Sequence, residues 1–233
     1  MKERGALAIF VKTPGLSPVK TRLAESLGVE KAREFYELAL VATAALAGEI
    51  SKRNLNIDIY WAVAEKEAHE GEHWEGFPTI WQGEGDLGER LNTVYETLLN
   101  KHRFVCFMGA DSPHLLVEDI TAAIRKVRSG AAFILGETTD GGFYFFGGTK
   151  PIPKNSWTSV EYSSAITFQK LSYNLLQISQ VSSIPKDFDI DVINDLGRYL
   201  KIKTIGLLPE QSALIDWSRI TVQSMALGKA SHA

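Results

Sequence analysis

Hydrophobic and polar positions along this chain follow two alternating periods. Short apolar runs, typical of buried strands, occur at residues 6–11, 55–63, 79–81, 104–108, 131–135, 142–146 and 179–184. Between them, apolar residues recur at helical spacing over residues 29–50, 87–100, 117–129, 163–176 and 192–201, with a weaker helical segment at 213–225. Such an alternation predicts an α/β fold with a mostly parallel central sheet and helices on both faces.

Length and composition fit one soluble domain. The chain has 233 residues, of which 45% are hydrophobic, and we expect residues 1–233 to form a single domain. A net charge of −3 argues against a general nucleic-acid binder, which needs a basic face. The one cysteine, Cys106, lies in an apolar run and is predicted to be a buried hydrophobe. We see no signal peptide and no run near the ~20 residues of a membrane span, and we expect a cytoplasmic protein.

The loop after the first strand is stiff and positively charged. It carries Lys12, Lys20 and Arg22 together with the two prolines Pro14 and Pro18. In open α/β sheets, ligands bind beyond the carboxyl ends of the strands. Three cations at that place predict an anionic ligand, most simply the phosphates of a nucleotide. A P-loop is not indicated, because no glycine directly precedes Lys20.

Two acidic segments are candidate metal ligands. Asp111 ends a buried strand between small residues, and Asp189 and Asp191 alternate along an extended segment that places them on one face. Hard divalent cations take oxygen ligands, so these carboxylates could hold Mg²⁺ or Mn²⁺ on a diphosphate. The alternative is structural, because aspartate also caps helix N-termini, and both Asp111 and Asp191 precede predicted helices.

Two glycine-containing loops have both structural and functional interpretations. The loop containing Asp140, Gly141 and Gly142 is typical of a hairpin turn, but its glycines would also let a ligand approach the backbone. The loop before the helix at 87–100 contains three glycines without the dinucleotide-binding spacing. Asp86 in that loop is a candidate helix cap.

Six of these motifs occur together, in the order of a known bacterial family. They are found at residues 10–15, 19–24, 85–91, 109–113, 140–144 and 189–191. The chain resembles the DUF2064 proteins, often called transferase 1 associated with radical-SAM or seleno domains and in some contexts arsenosugar-biosynthesis glycosyltransferases. The resemblance extends over about residues 5–205. It departs from the family pattern at Ala110, where many members have threonine, and at the loop 137–140.

The resemblance implies the GT-A fold of the nucleotide-diphospho-sugar transferase superfamily, with Mg²⁺ or Mn²⁺ as cofactor. It implies metal ligation by Asp111, with Asp189 and Asp191 as the later ligand segment. Gly141 and Gly142 are the candidate substrate-binding residues, because their loop would let a ligand approach the backbone. The predicted nucleotide-binding set is Lys12, Thr13, Pro14, Gly15, Lys20, Arg22, Asp86 and Gly88.

The function predicted on this basis is metal-dependent transfer from a nucleotide-linked donor, foremost transfer of a sugar from an NDP-sugar to a small-molecule acceptor. Sugar transfer needs a base for the acceptor hydroxyl, and Asp140 and Glu137 are the catalytic candidates. One alternative is nucleotidyl transfer from an NTP to a phosphorylated acceptor. Another is a nucleotide-binding module without catalysis. Neither a nucleic acid nor a membrane is an expected partner.

Overall fold

The computed structural model describes residues 3–69 and 74–230, and side chains as far as residue 227. Seven strands in this part of the chain form one sheet. They are β1 (Gly5–Val11), β2 (Ile57–Val63), β3 (Thr79–Trp81), β4 (Val105–Gly109), β5 (Phe133–Thr138), β6 (Phe143–Gly148) and β7 (Val181–Asp187). The helices are α1 (Thr21–Leu27), α2 (Val29–Lys52), α3 (Lys66–His69), α4 (Leu87–Leu99), α5 (Val117–Arg128), α6 (Lys154–Thr158), α7 (Thr167–Leu176), α8 (Ile193–Tyr199) and α9 (Pro209–Ala230).

The sheet is mostly parallel, as predicted. Its strand order is β3-β2-β1-β4-β6-β5-β7. Strand β1 pairs in parallel with both β2 and β4, and β7 pairs in parallel with β5. Strand β6 runs antiparallel to both of its neighbours, β4 and β5. The carboxyl ends of β1 and β4 therefore lie side by side, which brings the first loop next to the segment that follows β4.

The central strand is buried on both faces because alternate side chains enter two separate cores. Leu7 and Ile9 of β1 pack in one core with residues of α2 and α5. Ala6 and Ala8 face the opposite core, which contains residues of α4 and α7. Helices thus cover both faces of the sheet, as the sequence predicts for a continuous apolar run. Cys106 is buried, and burial raises the pKa of its thiol.

Most predicted elements are present, with differences at their ends. The strand at 79–81 is confirmed, and the predicted helix at 29–50 lies within α2. The predicted helix at 163–176 is wrong over its first residues, because Ser163 is left-handed (φ 58°) and α7 begins only at Thr167. The helices α1, α3 and α6 were not predicted. Each has seven residues or fewer, which is too short for a helical period to be recognised.

The predicted helix at 213–225 is part of the longer helix α9, which packs against α2. Leu214 and Ile215 enter a third hydrophobic core with Phe35 of α2. The amide nitrogen of the buried Gln211 donates hydrogen bonds to the carbonyl oxygens of Pro113 and Leu115, at 2.7 and 2.9 Å. Helix α9 is therefore tied to the segment between β4 and α5. No helix in the described part of the chain has the length and apolarity to cross a membrane.

Candidate active site

A cavity of about 580 Å³ opens at the carboxyl ends of β1 and β4. This volume is within the range of small-molecule sites. Its charged lining residues are Lys12, Lys20, Arg22, Arg90, Asp111 and Asp191. The structure thus brings together three predicted cations and two predicted carboxylates that are up to 179 positions apart in the sequence, between residues 12 and 191.

Lys20 is the centre of this arrangement. It precedes α1 in a left-handed conformation (φ 48°), which is uncommon for a residue with a Cβ atom. Its Nζ lies 2.5 Å from Oδ1 of Asp111 and 2.9 Å from Oδ1 of Asp191. The side chain is only 3% exposed. Burial by itself lowers the pKa of this ammonium, but the two carboxylates outweigh it and hold the pKa above its usual range.

The two carboxylates do not serve as helix caps. The residue that precedes α5 as its N-cap is Leu116, five positions after Asp111. At α8 the N-cap residue is Val192, and the carboxylate of Asp195 accepts the N–H groups of Asp191 and Val192 at 3.1 and 2.9 Å. The helix-cap role considered for Asp111 and Asp191 is therefore wrong, and both carboxylates contact Lys20 instead.

Asp189 lies beside the same cluster in a more enclosed position. Its Oδ1 accepts a hydrogen bond of 2.5 Å from the Ser112 hydroxyl. Burial, followed by repulsion from Asp111, raises the pKa of Asp189 from its ordinary value of 3.8 to about 7. The attraction of Lys20 thus does not offset the effects of burial and of Asp111 on this pKa.

Backbone and ring contacts hold the segment 187–191 against the loop after β4. The N–H of Ile190 donates to the carbonyl oxygen of Asp111 at 2.9 Å. The ring of His114 stacks on Phe188, with centroids 4.2 Å apart, and its Nε2 lies 2.8 Å from Oδ1 of Asp187. These contacts explain why carboxylates from two distant segments share one site.

The carboxylates fit a divalent cation that is completed by substrate. Among the described residues, no three histidine, cysteine, aspartate or glutamate side chains form a ready-made metal site. Mg²⁺ is, however, commonly held by one or two carboxylates plus substrate phosphates rather than by a cage of protein ligands. Asp111 and Asp191 are 52% and 36% exposed, so their oxygens are accessible from the cavity.

The remaining first-loop residues divide into two groups. Lys12 is exposed, with Nζ 3.5 Å from the carbonyl oxygen of Pro18, and Arg22 is 64% exposed, so both cations can meet a ligand. The residues Thr13, Pro14 and Gly15 are not among those that line this cavity. The N–H of Thr13 donates to Glu65 at 2.8 Å, and Gly15 takes the positive φ of 87° that the turn requires. Their role in nucleotide binding stays a prediction.

Asp86 and Gly88 have structural roles at the start of α4. Asp86 caps the helix, accepting the N–H of Glu89 at 2.9 Å, as its alternative interpretation predicted. A Cβ atom at Gly88 would lie 2.8 Å from the carbonyl oxygen of Trp157, so this glycine permits close packing against α6. Neither residue lines the cavity, although their neighbour Arg90 does.

The catalytic and substrate-binding candidates of the hairpin between β5 and β6 lie outside the cavity lining, namely Glu137, Asp140, Gly141 and Gly142. Glu137 forms an ion pair of 2.6 Å with Lys186. Oδ1 of Asp140 accepts the Thr138 hydroxyl and the N–H of Gly142, as in a hairpin turn. A Cβ atom at Gly141 would clash with the carbonyl oxygen of Ala165. These candidates are therefore not part of the cavity lining, and their catalytic and substrate-binding roles stay predictions.

Sequence comparison decides the family. A model described as "Uncharacterized protein conserved in bacteria (DUF2064)" matches residues 45–164, which is more than half of the chain. The chain belongs to the DUF2064 family. The matched range contains Asp111 and the hairpin, whereas Lys20 and Asp191 lie on either side of it. No curated protein matches the chain.

Solved structures share the fold of this DUF2064 protein. One, from Desulfovibrio desulfuricans G20 and assigned provisionally to the nucleotide-diphospho-sugar transferases, has a TM-score of 0.79 at 23% identity, covering 95% of this chain and 97% of its own. Rv0371c from Mycobacterium tuberculosis H37Rv has a TM-score of 0.53 at 13% identity, covering 87% and 100%. A cytidylyltransferase from Leptospira borgpetersenii serovar Hardjo-bovis (strain JB197) has 0.51 at 11%, covering 96% and 95%. The predicted nucleotide-diphospho-sugar transferase fold is confirmed.

Sequence reasoning missed most of the other lining residues of the DUF2064 cavity, among them Gln82, Arg90 and Ser163. Arg90 had a signal, since it follows Asp86 and Gly88 in a motif that the resemblance had already selected. The amide nitrogen of Gln82 donates to the carbonyl oxygens of Val11 and Ala62, which places it between β1 and β2. Nothing in the local sequence indicates Ser163, because only the fold brings its loop to the cavity.

Proposed function

We propose that this protein is a transferase that binds a nucleotide-linked donor in the 580 Å³ cavity and moves the donor's sugar to a second molecule. One observation carries the proposal. The cations of the first loop face the carboxylates Asp111 and Asp191 across the carboxyl ends of β1 and β4. That combination suits a diphosphate, whose oxygens need positive charge from the protein and from a divalent cation.

The chemistry proposed for these residues is electrostatic. Lys12 and Arg22 are exposed to the cavity and would contact the phosphates as charge-assisted donors. Asp111 and Asp191 would hold Mg²⁺ or Mn²⁺, with Asp189 beside them. The cation would supply Lewis-acid neutralisation of the leaving diphosphate. Fixed cations aimed at the developing charge would stabilise the transition state without reorganisation. The name of the Desulfovibrio protein with the same fold supports this class.

A second candidate is nucleotidyl transfer to a phosphorylated acceptor, and the position of the hairpin favours it. Glu137 and Asp140, the predicted bases, lie outside the cavity lining. Within the described lining, the carboxylates are Asp111 and Asp191, both engaged by Lys20. An acceptor phosphate is already ionised and needs no base, whereas a hydroxyl acceptor generally does. The cytidylyltransferase with a similar fold is consistent with this alternative.

The test combines binding with product analysis. Wild type and Asp111→Asn would be titrated calorimetrically with NDP-sugars and NTPs in the presence of Mg²⁺ or Mn²⁺. Sugar transfer predicts NDP release from an NDP-sugar, and nucleotidyl transfer predicts pyrophosphate release from an NTP. Binding without either product would identify a module without catalysis. The absence of binding by any nucleotide would refute the proposal.

Asp140→Asn and Glu137→Gln form the matched pair that tests the hairpin. If either carboxylate is the base for sugar transfer, the turnover rate falls while donor affinity is unchanged. If neither carboxylate acts as the base, both variants keep the wild-type turnover rate.

A further inference from the structure

Lys20 differs from the other cations of the cavity because its side chain is buried and contacts two carboxylates. Its ammonium lies between Oδ1 of Asp111 and Oδ1 of Asp191, at 2.5 and 2.9 Å. Arg22, two residues onward in α1, is 64% exposed and lies 4.0 Å from Asp191. Lys20 is therefore the cation that lies between the two carboxylates.

We propose that Lys20 is the counter-ion that neutralises Asp111 and Asp191 until a divalent cation binds, and that it then turns to the donor phosphates. This inference rests on the proposed function. Two neighbouring carboxylates repel each other unless a cation lies between them. Lys20 and a divalent cation would draw on the same carboxylate oxygens, so they compete. The lysine side chain suits such an exchange, because its ammonium is a point charge on a flexible stem.

The contacts of the two acidic segments explain why only the lysine has to move. The carboxylate-bearing segments are joined through the backbone, with the Ile190 N–H donating to the Asp111 carbonyl oxygen. The Ser112 hydroxyl joins the same segments a second time, since it lies 3.1 Å from the carbonyl oxygen of Phe188 and 2.5 Å from Oδ1 of Asp189. Releasing Lys20 thus leaves the carboxylates in place. Since Lys20 lines the cavity, its ammonium stays within reach of a bound phosphate.

An exchange of this kind couples the two ligands. A divalent cation that binds alone has to displace the buried Lys20 ammonium from its two carboxylates. When the divalent cation arrives with a diphosphate, the released ammonium gains a new partner. The nucleotide should therefore raise cation affinity, and the cation should raise nucleotide affinity by the same factor. A chain without the Lys20 charge should bind the cation more tightly by itself and lose most of this coupling.

The test measures Mn²⁺ binding from the paramagnetic resonance signal of free Mn²⁺, with UDP and GDP as nucleotide probes. In the wild type we expect a nucleotide to raise Mn²⁺ affinity about tenfold, within the usual range of coupling energies. Without nucleotide, Lys20→Met should bind Mn²⁺ about tenfold more tightly than the wild type, and its coupling should fall below about threefold. Lys126→Met is the matched control, since this exposed lysine of α5 does not line the cavity, and it should bind Mn²⁺ alone as the wild type does.

Unchanged or weaker Mn²⁺ binding by Lys20→Met, or full retention of coupling, overturns the proposal. If Lys20→Met does not fold, Lys20→Gln takes its place, because glutamine removes the charge while keeping a polar side chain. It should again bind Mn²⁺ more tightly than the wild type, and failure to do so counts equally against the inference. If neither UDP nor GDP binds the wild type, the proposed function is at fault, and the Mn²⁺ comparison without nucleotide still tests Lys20.

Discussion

At the scale of single residues, the central contact of the site is the one that Lys20 makes with Asp111 and Asp191. Lys20 and Asp111 could be predicted because each follows a strongly apolar strand, and parallel strands end at one edge of a sheet. That Lys20 bridges Asp111 and Asp191 could not be predicted, because the contact depends on a left-handed residue and on a segment 171 positions away. The position of Ser163 in the cavity lining could not be predicted either, because it too depends on the fold.

Asp111→Asn should abolish the dependence of nucleotide binding on Mg²⁺ or Mn²⁺ while the protein stays folded. Asparagine keeps the shape of the side chain and loses the charge, and no helix cap is lost because Leu116 is the N-cap residue of α5. Calorimetric titration with and without the metal ion is the measurement. Wild-type metal dependence in this variant would remove Asp111 from the metal site.

Arg22→Ala should weaken a nucleoside diphosphate more than a monophosphate. A charge-assisted hydrogen bond to phosphate contributes about 1.5–3 kcal/mol, which corresponds to roughly 10- to 150-fold in affinity. Because the Arg22 side chain is 64% exposed, the melting temperature should barely change. Equal losses for the two nucleotides in parallel titrations would mean that Arg22 does not contact the β-phosphate.

At the scale of elements, periodicity predicted the long helices and buried strands, while short helices and glycine roles depend on tertiary contacts. The glycines at 88 and 141 suggested ligand contact, yet each accommodates a neighbouring backbone segment. Helix α7 starts later than its apolar spacing implies, because Ser164 and Thr167 form a turn with Glu161. A single sequence does not show which glycine faces a ligand and which faces another strand or loop.

Gly141→Ala should destabilise the hairpin strongly. The residue has φ +94°, and an added Cβ atom would clash with the Ala165 backbone, which cannot move as a side-chain tip can. Gly130→Ala is a matched control, since it also has a positive φ (+107°) but open space around the added atom. Urea unfolding should show a larger loss of stability for Gly141→Ala, and equal losses would mean that the clash is relieved at no cost.

Asp195→Ala should separate the cap of α8 from the acidic site. The Asp195 carboxylate accepts two backbone N–H groups, so its removal should cost about 0.5–2 kcal/mol of unfolding free energy. Asp191→Asn should leave that cap intact and instead lose metal-dependent binding. Denaturant unfolding and titration of both variants should therefore give opposite patterns. A fully stable Asp195→Ala would show that water replaces the cap.

At the scale of the whole molecule, the acidic cluster should make stability depend on pH. The pKa of Asp189 is about 7 in the folded chain, above its ordinary value of 3.8. Folding therefore favours the protonated carboxyl, and this contribution is lost as the pH rises from about 4 to about 7. Mg²⁺ should stabilise the protein more at pH 8 than at pH 5. Urea unfolding at both values tests this, with Asp189→Asn as the variant in which the carboxyl's own pH dependence disappears.

The link between Gln211 and the loop after β4 has a consequence for biosynthesis. Its amide holds the carbonyl oxygens of Pro113 and Leu115, just beyond Asp111. In a ribosome-bound chain that lacks α9, these carbonyls are without the amide of Gln211. We expect nascent chains arrested before residue 209 to acquire protease resistance in the sheet while failing to bind nucleotide. The cavity would then become competent only after α9 has emerged from the ribosome.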